Sequence, residues 1–118
     1  MIARGGSMRP FLPDGTPVML RPLPGRPPRV GEIVLVPRGG DVALHRVVRI
    51  HRDQVTTRGD ACRTEDPPVS VHAVRGLAVH IVRKGRSLPL DGPGMRTLGW
   101  LIAKALPALG WIRRRINP

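Results

Sequence analysis

The chain has 118 residues, enough for one domain with a modest hydrophobic core and no disulfide staple. Hydrophobic residues make up 41%, which excludes a compositionally disordered chain, and the single cysteine, Cys62, excludes an internal disulfide. A formal net charge of +12 points either to an anionic partner or to an arginine-rich background, and an aromatic content of 3% leaves little with which to stack single-stranded nucleic acid.

With so few aromatic residues the core must come from Val, Leu and Ile. The 14 Gly and 14 Pro favour short strands and many turns. No zinc-finger spacing or recognition helix is present, so no specific nucleic-acid partner is expected. No close His/Asp/Glu pair repeats at ligand spacing, so neither a metal nor a cofactor is expected.

In chain order, residues 1–16 read as a glycine-led turn closed by Asp14-Gly15. Thr16 to Leu20 suits a short strand. Arg21 to Arg29 holds prolines at 22, 24, 27 and 28, too many for a central strand, and reads as a loop. Glu32 to Val36 is a short apolar β run, followed by a turn at Arg38 to Asp41. Val42 to His51 and Gln54 to Thr57 read as strands joined by a tight hairpin at Arg52-Asp53. Gly59 to Pro68 is a polar loop. Val69 to Val82 is strand-rich, with a bulge expected at Gly76, and Arg83 to Gly94 reads as a linker.

From Met95 to Ile116 the pattern changes: Leu98, Leu101, Ile102, Ala105, Leu109 and Ile112 recur at helical spacing. Pro107 is expected to kink or interrupt that helix. Lys104 sits inside the apolar stretch, Trp100 and Trp111 flank it, and Arg113-Arg114-Arg115 closes it. The pattern suits an interfacial anchor or a short tilted span through residues 95–118, with a helix packed on the domain's own core as the alternative. The protein is accordingly expected at an anionic membrane surface, or in the cytoplasm if the helix only packs. The N-terminus shows no apolar stretch of a secretory signal.

Chemistry is carried by three groups of residues. In Gly5-Gly6-Ser7 a turn presents a serine hydroxyl, which becomes a nucleophile once a base takes its proton. The flanking glycines let backbone approach a substrate, and the N–H groups of Ser7 and Gly6 are candidate oxyanion donors. Met8 and Pro10, in an apolar run that can bury itself, are candidate substrate contacts. His45 lies within Leu44-His45-Arg46-Val47-Val48 and is the candidate base. His51, His72 and His80 have no comparable motif around them. Asp60 and Asp66 share one polar loop and are both candidates to orient His45. Asp60 follows a glycine and either serves the turn or supports the base, whereas Asp66 precedes Pro67-Pro68 in a rigidly directed segment.

Taken in order, Ser7-Met8-Arg9-Pro10, Gly31-Glu32-Ile33-Val34-Leu35-Val36, Leu44-His45-Arg46-Val47-Val48 and Gly59-Asp60 resemble the boxes of the signal peptidase I family, grouped with the LexA-like peptidases. These boxes cover most of residues 5 to 83. The resemblance implies a mainly β fold of coiled antiparallel sheets, with a peptidase domain over residues 1–86 and a linker and amphipathic helical tail over 87–118. It implies a serine endopeptidase that cleaves the leader or signal peptide of a preprotein after small residues, the substrate lying extended along a strand edge. The family places either lysine or histidine at the base position, and His45 is similar to the histidine type of archaeal and endoplasmic-reticulum enzymes. In that type an aspartate beyond the Gly-Asp box assists; Asp66 stands there, and Asp60 matches the box itself.

The chain also departs from the family pattern. It begins almost at the serine box, where members usually carry a preceding transmembrane helix. Gly5 stands where many members have a serine that donates to the oxyanion. The large extra domain of some bacterial members is absent. Two further readings stay open: a LexA-like self-cleaving regulatory module, and a non-catalytic basic protein that binds membranes or nucleic acid on a degenerate peptidase fold.

Overall fold

The computed structural model describes residues 1–116, with side chains as far as Lys104. Its elements are β1 (Val18–Arg21), β2 (Ile33–Arg38), β3 (Asp41–His51), β4 (Gln54–Arg58), β5 (Val69–Ser70), β6 (Gly76–Arg83), β7 (Arg86–Pro89) and α1 (Pro93–Ile116), with a 3₁₀ turn at Val71–Ala73. The strands form one antiparallel seven-stranded sheet in the order β1-β6-β2-β3-β4-β5, with β7 paired to β6 off that path. The architecture is mainly β with a C-terminal helix, as composition and periodicity lead one to expect.

The side-chain alternation of β2 shows how the sequence builds this sheet. Ile33 and Leu35 pack with Met8, Leu12, Leu44 and Ile81. Val34 and Val36 pack with Val47, Val55 and Leu77. Successive residues of a strand face opposite sides, so each apolar run serves two cores. The core side chains are aliphatic or Met, as the scarcity of aromatics requires. β6 changes partners along its length. It pairs with β2 at Gly76 and Leu77, with β1 from Leu77 to Ile81, and with β7 from His80 onward. This switching lets one sheet curl around its contents.

Three local expectations are corrected. The stretch from Arg83 to Gly94, expected as a linker, contains β7, so the boundary drawn at residue 86 falls inside the β6–β7 hairpin. Its turn uses positive φ at Lys84 and Gly85, a hairpin geometry that Lys-Gly does not announce in sequence. The bulge expected at Gly76 lies instead opposite the Met19–Leu20 step, where the partners jump from His80 to Ala78. Gly76 itself is buried beneath the carbonyl of Arg21. Finally, α1 opens with Pro93, where a missing N–H costs nothing, and runs without interruption at Pro107.

Helix α1 is seated against the sheet by close backbone contact. Gly31 has φ +97°, and a Cβ there would lie 2.6 Å from the Trp100 nitrogen. A Cβ on Gly99 would lie 2.5 Å from the Gly31 carbonyl oxygen. Only two glycines allow this approach. The Lys104 ammonium donates to the Val48 carbonyl at 3.2 Å. Arg58 donates to the carbonyls of Ala103 and Ile102, each at 3.3 Å. The sequence features placed on Leu109, Trp111, Ile112 and residues 113–115 lie outside the described side chains. Among the described residues no helix is long and apolar enough to cross a membrane.

Candidate active site

Ser7 stands in a turn fixed from three directions. Gly5 takes φ +82° and donates its N–H to Asp14 Oδ1 at 2.8 Å. Met8 and Leu12 are buried, and the Leu12 N–H donates to the Met8 carbonyl at 2.8 Å. The Ala61 N–H donates to the Ser7 carbonyl at 2.8 Å. Gly59 lies directly beneath: a Cβ there would sit 2.5 Å from the Ser7 carbonyl oxygen and 2.9 Å from Ser7 Cβ. The Gly-Asp box therefore supplies the floor under the serine, and glycine is needed for the closeness of that approach. Among the described residues, the N–H groups of Gly6 and Ser7 have no hydrogen-bond partner.

His45 comes from the middle of β3 and is only 2% exposed. Its Nε2 lies 3.1 Å from Ser7 Oγ and its Nδ1 lies 2.5 Å from Asp66 Oδ2. An ionised carboxylate can only accept, so Nδ1 carries the proton toward Asp66. Nε2 is then left with a lone pair facing the serine hydroxyl. Asp66 is held in turn: its Oδ2 also accepts from Thr57 Oγ1 at 2.8 Å, its N–H donates to the Thr57 carbonyl at 2.8 Å, and its Oδ1 accepts from Arg38. Arg38 Nη1 also stands 3.4 Å from His45 Nδ1, but two donors cannot bond, so its role is to hold the carboxylate.

Asp60, the other candidate partner for His45, sits elsewhere. Its carboxylate accepts from Arg46 Nε at 2.8 Å and Nη2 at 2.7 Å, a bidentate pair, and its N–H points at Met8 Sδ at 3.4 Å. The third nitrogen of Arg46, Nη1, donates to the Gly31 carbonyl at 2.9 Å, and the guanidinium lies over the Phe11 ring, 4.8 Å from its centroid. His45 and Arg46 are neighbours on β3 and face opposite sides of it, so the two aspartates of one loop serve the two faces. Arg58, also buried, is pushed down from the usual arginine range, chiefly by burial; Asp60 and Glu65 oppose that shift and Arg46 adds to it.

The structure thus brings Ser7, His45 and Asp66 together and leaves Asp60 apart, beneath the serine turn. Met8 is buried and lines a cavity of about 220 Å³ beside Ser7, whereas Pro10 is exposed and lies off that cavity. Cavity walls come from Met1–Gly5 on one side and Asp41–Leu44 on the other. β4 pairs with β3 only from Arg46 onward, so Asp41–His45 has β2 on one side and an open edge on the other. Val47 exchanges hydrogen bonds toward β2, with Glu32 and Gly31, and by alternation the backbone groups of Val42 and Leu44 point to the open edge. The Val42 N–H there is occupied by its neighbour's carboxylate, Asp41 Oδ1, at 2.8 Å.

His51 and His72 are exposed, and His80 is half-buried in β6. Among the described residues none of the three imidazoles bonds a serine hydroxyl or a carboxylate; His72 meets Ser70 Oγ only through its backbone N–H, at 3.2 Å. No group of three or more His, Cys, Asp or Glu side chains converges among the described residues. Sequence reasoning missed Arg38 and Thr57, which hold Asp66 across 28 and 9 positions of chain. The β2–β3 and β3–β4 hairpin registers, had they been known, would have brought both toward His45. Comparison with protein-family models, with curated proteins and with solved structures finds no match.

Proposed function

We propose that the protein is a serine endopeptidase of signal-peptidase type that cleaves leader or signal peptides after small residues. The observation that carries this reading is the unbroken hydrogen-bonded line from Ser7 Oγ through His45 to Asp66, at 3.1 and 2.5 Å. His45 Nε2 takes the Ser7 proton as Oγ attacks the peptide carbonyl. The resulting tetrahedral oxyanion is met by the unpartnered N–H groups of Ser7 and Gly6. His45 then returns the proton to the leaving amine, and an acyl-enzyme forms at Ser7. Water, deprotonated by the same imidazole, completes hydrolysis. Asp66 fixes the ring and stabilises the imidazolium in both steps.

The open edge of β3 supports an extended substrate. A peptide added along Val42–Leu44 would displace the Asp41 carboxylate from the Val42 N–H and run toward Ser7. The cavity of about 220 Å³ beside Ser7 gives the side chain just before the cut a place to sit, while the preference for small residues there rests on the resemblance to signal peptidases. The basic surface and helix α1 are the features that support work at a membrane. The test is cleavage of a peptide library read by mass spectrometry, comparing the full chain with Ser7→Ala. Cleavage after small residues that disappears in the variant is the expected result. Cleavage that persists in Ser7→Ala removes the mechanism. A full-length chain that cuts only itself favours the self-cleaving module instead.

A further inference from the structure

A second cavity, of about 840 Å³, opens between the first turns of α1 and the sheet, on the side of the molecule served by Arg46 rather than His45. Its volume falls in the range of sites that take small organic ligands. Phe11, Ile33, Leu77, Val79 and Leu90 line it from the strands and loops, and Met95 and Trp100 from the helix. Three exposed arginines, Arg21, Arg29 and Arg96, stand in its walls. Among the described residues their side chains have no hydrogen bond or ion pair. Of the two lining carboxylates, Glu32 is already taken by Arg26, at 3.0 and 2.7 Å, and by the Arg29 N–H at 2.6 Å. Asp91 alone is left to balance three cations.

An apolar chamber with an uncompensated cationic rim asks for an occupant with an apolar body and an anionic head. A peptide would bring an N–H and a C=O at every residue, and the aliphatic part of the wall, Ile33, Leu77, Val79 and Leu90, has no side-chain partner for them, at a cost in unmade hydrogen bonds. A nucleic acid would need stacking surfaces, and the wall has only Phe11 and Trp100. An acyl chain has no polar group to satisfy. Beside the cavity, α1 also presents Leu98, Trp100 and Leu101 to solvent at 41%, 50% and 47% exposure, an apolar face next to arginines. We propose that this cavity seats one acyl chain of an anionic phospholipid at a membrane surface, with the headgroup phosphate on Arg21, Arg29 and Arg96. The proposal is independent of the peptidase reading.

The test has two arms, both on the full chain. In the first, monomeric dihexanoylphosphatidylglycerol is titrated while methyl resonances are followed. Saturable shifts and acyl-chain contacts at Leu77, Val79 and Leu90 are expected, with none from dihexanoylphosphatidylcholine. Unmoved methyls overturn the proposal, as do shifts of the same size with the zwitterionic lipid. An oligoglutamate peptide that moves these methyls where the lipid does not assigns the cavity to a peptide and overturns it too. In the second arm, cosedimentation with mixed phosphatidylglycerol–phosphatidylcholine vesicles compares two triple variants. Arg21→Gln/Arg29→Gln/Arg96→Gln is expected to bind about 100-fold more weakly. Arg75→Gln/Arg83→Gln/Arg86→Gln removes equal charge from exposed positions away from the cavity and is expected to keep most of the affinity. Equal losses in both would mean diffuse charge attraction and overturn the proposal.

Discussion

The loop from Gly59 to Pro68 makes three arginine–carboxylate pairs that differ mainly in their access to water. Asp60 and Arg46 are sealed, with side chains 0% and 2% exposed. Asp66 is 9% exposed but its arginine, Arg38, is 52% exposed, and His45 shares the carboxylate. Glu65 and Arg49 stand at 40% and 57%. The chemistry of the partners is nearly the same in each, so what each pair can do follows from burial. The sealed pair holds geometry, since its charges cannot be released without leaving one of them uncompensated in the interior. The middle pair orders the carboxylate that aims the imidazole while its arginine stays in water, and in the proposed mechanism it is the pair that supports a proton transfer. The exposed pair is screened and can do little of either.

Removing the charge of the middle pair gives the largest expected effect. Asp66→Asn keeps the shape but lets Nδ1 accept instead of donate, so the imidazole presents the wrong tautomer to Ser7. Peptide cleavage, measured as kcat/KM, is expected to fall by about 10⁴-fold, with the urea unfolding midpoint little changed. A variant that keeps wild-type turnover would detach Asp66 from the chemistry. Asp60→Asn reverses the emphasis. It strands Arg46 beneath the helix and is expected to cost about 3–5 kcal/mol of unfolding free energy by denaturant titration. A loss below 1 kcal/mol, on the scale of an exposed pair, would erase the distinction between the two aspartates.

How much of this was legible in sequence divides along the same line. The apolar strands, the Arg52-Asp53 hairpin and the C-terminal helix follow from local periodicity, which needs no partner. Ser7, His45 and Asp66 were named as candidates because box order and residue type mark them, although the same reasoning left Asp60 as a second candidate partner. What separated the two aspartates was tertiary. The alternation of β3 sends His45 and Arg46 to opposite faces, and the loop crosses both. The net charge of +12 counts Arg46 and Arg58 like any other arginine, yet both are buried and committed to carbonyls and a carboxylate. Arg38 and Thr57 were silent for the same reason. β7 escaped notice because its turn residues and its single well-packed Leu88 carry almost no local pattern.

A smaller effect sharpens the account of the sealed side. Gly99→Ala places a methyl 2.5 Å from the Gly31 carbonyl oxygen and 3.1 Å from Arg46 Nη1. The obstacle is backbone, so α1 must shift, at an expected cost of about 1–3 kcal/mol. If the helix rests on this glycine contact, hydrogen exchange of the Gly31 and Trp100 amides will quicken in the variant. Unchanged exchange and stability would mean that Arg58 and Lys104 alone hold the helix.

The exposed pair sets the floor of the comparison. Glu65→Ala removes an ion pair whose two long side chains are both substantially in water and must be ordered to meet. Its Coulomb attraction is weakened by the high dielectric and by salt, and the entropy of fixing the side chains opposes what remains. The expected change is within about 0.5 kcal/mol in unfolding free energy, shrinking further at high salt. Glu65 stands next to Asp66 in sequence, so the comparison holds loop position almost constant. A loss in Glu65→Ala as large as that in Asp60→Asn would mean that the loop folds as one unit and that burial does not sort its carboxylates. A small loss in Glu65→Ala with unchanged cleavage, against silent catalysis in Asp66→Asn, would show that adjacent acids on the same backbone differ in role because of what surrounds them.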